Sequence, residues 1–160
     1  SGGSITWNDE EIDDPSSVLV PPRAAYVPQV PRLFSEPLAD SVLLRVGAEG
    51  LDRALNLVRL DEDLAAMSDG LNTRVGPKGV RLSGGQVQRA ATARALVRRP
   101  ELLVIDDLSS ALDVTTEAQL WDGLFEATHG NLAVLAVSHR PRVLERADRV
   151  IELKAGRRMT

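Results

Sequence analysis

Two short apolar runs in the second half of the chain constrain its fold more than any other feature. The first covers residues 102–105 (LLVI) and the second covers residues 132–137 (LAVLAV). Neither run alternates between apolar and polar residues, so both faces of each strand are expected to be covered, as in a parallel sheet flanked by helices. The chain is therefore predicted to be an α/β protein with a mostly parallel sheet.

Turn-forming residues bound the other periodic segments. Apolar or β-branched runs predict five strands, at residues 4–7, 24–27, 102–106, 132–137 and 149–153. Helical patterns occupy residues 51–57, 61–66, 84–97, 115–127 and 141–145. Strand and helix alternate after residue 84, whereas residues 28–79 contain no convincing strand and are entered through a proline-rich stretch. We therefore expect a helical segment to be inserted into the α/β core.

Composition excludes several classes of protein. The 160 residues are 43% hydrophobic, which suits one packed domain, and they contain no cysteine for a disulfide scaffold or zinc-thiolate site. The longest apolar run has six residues, far short of the roughly 18 that a membrane helix needs. The net charge of −4 gives no general attraction to nucleic acid, although five acids lie within residues 1–20 and five arginines within residues 81–100.

Residues 82–86 read Leu-Ser-Gly-Gly-Gln and begin an alanine-rich helical pattern. Ser83 is a good N-cap, and Gly84 and Gly85 would let a ligand approach the backbone. The free N–H groups and the helix dipole at such a start favour an anion such as a phosphate. By itself, the Ser-Gly-Gly tripeptide is more often an ordinary loop and helix cap, so its neighbours must decide between the two interpretations.

Two carboxylates, Asp106 and Asp107, follow the apolar run at residues 102–105. In nucleotide-hydrolysing α/β folds, a carboxylate at this edge holds Mg²⁺ and a second can orient or deprotonate the attacking water. Adjacent residues of a strand project differently, so two separate roles are plausible. A solvated strand end before a turn is an equally good explanation of the two acids alone.

Taken together, these motifs resemble the nucleotide-binding domain of ATP-binding cassette (ABC) transporters. Residues 82–86 match the signature motif of that family, and Asp106 ends a strand similar to its Walker B strand. Residues 26–29 resemble its Q-loop, and residues 138–140 resemble its switch-histidine loop. The resemblance to its D-loop rests on Ser110, Ala111, Leu112 and Asp113.

Two further stretches resemble the exporter type of this family. Residues 33–35 and 40–42 follow Gln29 as they do in exporter cassettes. Residues 73–79 resemble the exporter X-loop, which touches the coupling helices of the transmembrane domain in that family, although the acid usual near Pro77 is missing. The resemblance implies a P-loop NTPase core (1–27 and 99–160) with an inserted helical subdomain (28–98).

The resemblance also implies roles for individual residues in a site that uses MgATP. Asp106 and Gln29 would bind Mg²⁺, largely through water, and Gln29 would also contact the attacking water. Asp107 would be the general base, and His139 would hydrogen-bond the γ-phosphate. The signature residues would contact ATP held by a second nucleotide-binding domain; they are Ser83, Gly84, Gly85 and Gln86.

Two departures from the family pattern bear on activity. The family has glutamate where this chain has Asp107, and a carboxylate one methylene shorter would be misplaced on a scale that can cost about 100-fold in rate. The sequence also contains no Gly-x-x-x-x-Gly-Lys-Ser/Thr, and neither of its lysines, Lys78 and Lys154, lies in such a loop. We therefore expect a fragment that is inactive alone and binds MgATP weakly or not at all.

Three functions remain open at this point. The first is an ATPase region of an exporter at the cytoplasmic face of the membrane, with a second cassette and a transmembrane domain as partners and no nucleic acid. The second is a soluble ABC ATPase that is not a transporter. The third is a catalytically degenerate cassette that supplies its signature motif to a partner, which Asp107 favours.

Overall fold

A computed structural model describes residues 3–108, 112–128 and 132–159. Its strands are β1 (Thr6–Trp7), β2 (Glu10–Glu11), β3 (Ala24–Val27), β4 (Leu102–Asp106), β5 (Ala133–Val137), β6 (Leu153–Lys154) and β7 (Arg157–Arg158). Its helices are α1 (Pro15–Val18), α2 (Leu38–Leu43), α3 (Leu51–Leu57), α4 (Asp61–Ala65), α5 (Gly84–Leu96), α6 (Val114–Thr128) and α7 (Pro141–Glu145), with a 3₁₀ turn at Gly70–Asn72. The α/β class expected from the apolar runs is confirmed, and no described helix is long and apolar enough to cross a membrane.

The main sheet has three parallel strands in the order β3, β4, β5. Tyr26 on β3 lies opposite Val104 on β4, and Val104 lies opposite Leu135 on β5. The connections run through the helical segment and α5 from β3 to β4, and through α6 from β4 to β5. Because the strands are parallel, their carboxyl ends meet at one edge, which brings the ends of β3, β4 and β5 together there.

One face of this sheet packs against α5 and α6. Leu103 and Ile105 of β4 are fully buried, as are Ala90 and Ala93 of α5, and the small alanine side chains let α5 lie close to the strands. Leu120 and Leu124 of α6 complete this layer, and both are almost fully buried. The core therefore sits between the sheet and the helix that carries the glycines of residues 84–85.

The expectation that both faces of the strands are covered is wrong for β5. Leu135 and Val137 are 56% and 62% exposed, and Tyr26 on the same face of β3 is 58% exposed. On this face the middle strand, β4, has partly exposed side chains at Leu102, Val104 and Asp106. The prediction of buried strands is therefore correct for only one face of the sheet, because no described helix packs on the other face.

The strand expected at residues 149–153 is also not formed over that range. Of this range only Leu153 pairs in a ladder, in a short antiparallel hairpin with Arg158, and residues 149–152 belong to no strand. Val150 and Ile151 are both more than half exposed. An apolar run becomes a strand only when a partner strand satisfies its backbone, and none of the described strands pairs with residues 149–151.

Candidate functional site

The carboxyl edge of the sheet brings three of the expected site residues together. Gln29 follows β3 by two residues, and its Nε2 atom donates a hydrogen bond to Oδ2 of Asp107, 3.2 Å away. Asp106 is the last residue of β4, and its Oδ2 atom accepts a hydrogen bond from the hydroxyl of Tyr26 at 3.4 Å. The two adjacent acids therefore do project differently, with one turned toward Tyr26 and the other toward Gln29.

The backbone of Asp107 is held in an unusual conformation. Its φ angle is +46°, in the left-handed region that non-glycine residues rarely adopt. Its N–H donates to the carbonyl of Val137 at 3.1 Å, and its own carbonyl accepts a hydrogen bond from Nε2 of Gln88 at 3.1 Å. Asp107 is thus fixed by β5 on one side and by α5 on the other.

The hydroxyl of Tyr26 contacts Asp106 at this edge of the sheet. Partial desolvation and the nearby negative charge of Asp106 both raise the pKa of Tyr26, so its hydroxyl stays protonated and donates to the carboxylate. The sequence placed Tyr26 in the Q-loop segment without a role. Only the pairing of β3 with β4 reveals its contact with Asp106.

His139 lies two residues beyond β5 and is exposed. Next to it, the Oγ atom of Ser138 accepts a hydrogen bond from the N–H of Arg140 at 3.2 Å. The guanidinium of Arg140 lies 3.3 Å from the buried carboxylate of Glu117 on α6, which anchors the loop. Among the described residues, no hydrogen bond joins His139 to Gln29, Asp106 or Asp107.

The start of α5 is built by a reciprocal cap. The Oγ atom of Ser83 accepts from the N–H of Gln86 at 3.2 Å, and Oε1 of Gln86 accepts from the N–H of Ser83 at 2.9 Å. Gly84 and Gly85 belong to the first turn, whose N–H groups have no partner within a helix. At this start Ser83 and Gly84 are exposed and Gly85 is buried, while the Gln86 side chain is turned back into the cap.

A carboxylate of α4 holds this helix start from the side. Oδ1 of Asp63 accepts from Nε2 of Gln86 at 2.7 Å, and Oδ2 of Asp63 accepts from Nη1 of Arg89 at 2.5 Å. The same Arg89 atom donates to the carbonyl of Arg59. Arg89, one of the five arginines within residues 81–100, therefore has a structural role. The sequence did not single out Asp63, because it is one of three consecutive acids.

The D-loop residues are only partly described. Ser110 and Ala111 lie outside the described residues, and Leu112 is partly buried against the core. Asp113 caps α6: its Oδ1 atom accepts from the N–H groups of Thr115 and Thr116, both at 3.0 Å. The hydrogen bonds from Thr116, side chain first, lower the pKa of Asp113 below its ordinary value.

The stretch that resembles an exporter X-loop lies against the segment that follows Gln29. The N–H of Val75 donates to the carbonyl of Glu36 at 3.0 Å, and Arg74 donates to the carbonyl of Ser35 at 2.9 Å. A Cβ atom on Gly76 would lie only 2.7 Å from the carbonyl oxygen of Phe34, and its φ of +86° also favours glycine. Residues 34–36 and 73–79 therefore form one continuous surface.

The donor set at the sheet edge fits a magnesium ion. Carboxylate and amide oxygens of Asp106 and Gln29 are hard ligands of the kind Mg²⁺ prefers. No group of three or more His, Asp or Glu side chains within the described ranges forms a metal cage.

Comparison with known proteins places these features in a family. Residues 1–110 match the family model described as ABC transporter. An export ATP-binding/permease protein of Rickettsia typhi is 32% identical over 161 residues, which cover 99% of this chain and 28% of that protein. P-glycoprotein 14 of Caenorhabditis elegans is 34% identical over 160 residues, covering 98% of this chain and 12% of that protein.

A solved structure gives the same result. The structure of a bacterial Atm1-family ABC exporter with ATP bound superposes with a TM-score of 0.76 and 28% identity, over 85% of this chain and 24% of that one. The chain thus spans about a quarter, or less, of the length of these relatives. It belongs to the ABC transporter family and carries nucleotide-binding-domain sequence of the exporter type.

Proposed function

We propose that this chain contributes an ATP site to an exporter, in which ATP binding and hydrolysis by two cassettes power transport. The observation that carries the proposal is the bond from Gln29 to Asp107 at the carboxyl edge of the sheet, 3.2 Å long. It places the acid expected to activate water beside the amide expected to contact that water. The relatives named above, an export ATP-binding/permease protein and P-glycoprotein 14, support the transport part of the proposal.

The residues at the sheet edge divide the chemistry between them. Asp106 and Gln29 would hold Mg²⁺, which when bound neutralises phosphate charge and orients the phosphates. Asp107 would accept the proton of the attacking water, and Gln29 would orient the water by its side-chain amide. His139 is exposed beyond β5, and its ring would donate a hydrogen bond to the γ-phosphate.

The start of α5 would serve the ATP of a second cassette. Its exposed backbone at Gly84 and its dipole favour phosphate, and the cap between Ser83 and Gln86 orders this turn in advance. A site completed by two subunits makes closure depend on ATP, because the γ-phosphate contacts both. We therefore propose a second nucleotide-binding domain as the partner.

The joined surface of residues 34–36 and 73–79 would meet the transmembrane domain. Phe34 and Val80 are 56% and 53% exposed on or beside this surface. Exposed apolar side chains next to backbone that is already hydrogen-bonded suit contact with a helix from a partner. This contact would hold the chain at the cytoplasmic face of the membrane, and we expect no nucleic-acid partner.

A second candidate is a cassette with weak chemistry that lends its signature motif to a competent partner. Asp107 is the observation that favours it, since aspartate is one methylene shorter than the glutamate that the family usually has. The two candidates predict different behaviour when the Asp107 carboxylate is removed.

The test is ATP turnover by the protein at the full length of its reading frame, alone and with its partner cassette. Under the first proposal, Asp107→Asn lowers kcat by about 100-fold or more, whereas the exposed control Asp148→Asn leaves it unchanged. Under the second, wild type and Asp107→Asn hydrolyse ATP equally slowly alone and at equal, higher rates with the competent partner, and Asp107→Glu raises the rate of the protein alone. Absence of turnover in all of these, with the partner present, would contradict both.

A further inference from the structure

Gln88 is a buried polar side chain on α5 that faces the sheet. It is 1% exposed, and its Nε2 atom donates to the carbonyl oxygen of Asp107 at 3.1 Å. Its Oε1 atom meets no hydrogen-bond donor among the described residues. A buried amide oxygen without a partner destabilises a protein, so an apolar side chain of the same length would suit folding better. What the amide contributes here is the bond to Asp107.

That bond acts on a residue whose backbone is strained. Asp107 has a φ of +46°, and its N–H is fixed to Val137 while its carbonyl is fixed to Gln88. Residues in such conformations persist only where the surroundings hold them. The backbone dihedrals determine the direction in which a side chain leaves the backbone. The hydrogen bond from Gln88 to the Asp107 carbonyl therefore also determines the direction of the Asp107 carboxylate.

We propose that Gln88 is a positioning residue, through which α5 sets the orientation of the Asp107 carboxylate. The inference rests on the proposed function, in which Asp107 activates water. Gln88 is five residues beyond Ser83 on the same helix, a distance of about 7 Å along the axis. A rigid helix thus joins the phosphate-facing start of α5, which serves one ATP site, to the acid of the other.

The coupling has a direct consequence for the paired sites. When the start of α5 closes on a phosphate, any rotation or shift of the helix moves Gln88 and, through its amide, the Asp107 backbone. Phosphate contact at one site would therefore adjust the acid at the other. This gives the two sites a physical connection through α5.

The variants Gln88→Met and Gln88→Asn remove the bond in two ways. Methionine keeps the length without the amide, and asparagine keeps an amide that is one methylene too short to reach. The matched control is Thr92→Val, one turn further on α5: Thr92 is equally buried, and within the described part of the chain its hydroxyl bonds only to the Gln88 carbonyl of its own helix. Thermal unfolding of all three variants establishes that each is folded.

Two measurements are made on the full-length protein with its partner cassette. The first is steady-state ATP hydrolysis, in which both Gln88 variants should lose about 10- to 100-fold in kcat at unchanged KM, while Thr92→Val keeps wild-type values. The second is hydrogen exchange of the Asp107 amide, which should be faster in both Gln88 variants than in wild type or Thr92→Val.

The outcomes separate this inference from the proposed function. Retention of wild-type kcat by folded Gln88→Met, or unchanged exchange of the Asp107 amide, would overturn the positioning role. If wild type itself does not hydrolyse ATP, the proposed function fails, and the exchange measurement alone then decides whether Gln88 holds Asp107. Equal loss of kcat in Thr92→Val would also overturn the proposal, because it would indicate a general effect of altering α5.

Discussion

The Nη1 atom of Arg89 on α5 lies 2.5 Å from Oδ2 of Asp63 on α4, and this ion pair joins the two helices. The side chains are only 10% and 20% exposed. The other oxygen of Asp63 accepts from Gln86, so one carboxylate holds both the cap and the second turn of α5. The position of the signature helix therefore depends on a residue about twenty positions away in sequence.

Removing the Asp63 carboxylate should destabilise the protein strongly. Asp63→Ala leaves the largely buried Arg89 guanidinium without its counter-charge, and we expect a loss of about 3 kcal/mol in the free energy of unfolding. Urea denaturation measures this loss. The neighbouring exposed acid provides the control, since Glu62→Ala should change the free energy by less than about 0.5 kcal/mol. Equal effects of the two variants would contradict the role assigned to the ion pair.

Gly123 should not tolerate alanine, although it lies within helix α6. Replacing an exposed helical glycine by alanine normally stabilises a helix by about 1 kcal/mol. Here the added Cβ would collide with the carbonyl oxygen of Leu57, because α6 packs closely against α3. We expect Gly123→Ala to lose about 1–3 kcal/mol in denaturant unfolding.

Gly47→Ala is the matched control for this substitution. A Cβ at Gly47 meets no atom within 4 Å, and its backbone is not in the left-handed region. Alanine there should be neutral or stabilise by up to about 1 kcal/mol. A stabilised Gly123→Ala would mean that α3 and α6 are not in close contact.

The cap on α6 should make stability depend on acid. The pKa of Asp113 is lowered in the folded protein by the hydrogen bonds from Thr116, so the charged form stabilises the fold. This contribution is fully present above the unfolded pKa of about 3.9 and is lost as the pH falls through the lowered folded pKa. Asp113→Asn caps the helix without titrating. The difference in melting temperature between wild type and this variant should be constant near neutral pH and should change only below about pH 4; a change between pH 6 and 8 would contradict this.

The 160-residue chain by itself should bind MgATP weakly or not at all. The backbone cradle and lysine of a Gly-x-x-x-x-Gly-Lys-Ser/Thr loop supply most contacts to the phosphates in P-loop proteins, and the sequence contains no such loop. Titration calorimetry on the chain, after cooperative unfolding has shown that it is folded, measures the affinity directly. Micromolar affinity would show that the start of α5 and the sheet edge suffice to hold the nucleotide.

Much of the secondary structure could be predicted because its signals are local. Ser83 with Gln86 three residues later marks the start of α5, and Pro141 marks the start of α7. The apolar runs likewise predicted β4 and β5. The run at residues 149–153 failed because a strand also needs a partner, and the local sequence carries no information about whether one lies alongside.

The sequence by itself determined the parallel α/β class, the order of the elements and the residues that carry the family motifs. It placed Asp106, Asp107 and Gln29 at strand ends, where parallel strands must bring them to one edge. Tertiary structure alone decided which neighbours those residues meet. The hydrogen bond from Tyr26 to Asp106 depends on the register of β3 against β4, and the bond from Gln88 to Asp107 depends on the orientation of α5 against the sheet. The packing of the whole core determines both the register and the orientation.

The same reason explains Asp63. Residues 61–63 are all acidic, and a helix of five residues is too short for its periodicity to show which acid faces inward. The packing of α4 against α5 turns Asp63 toward Arg89 and Gln86, and it leaves Glu62 in solvent. Local sequence specifies which elements form, and the fit between their side chains specifies which polar groups meet.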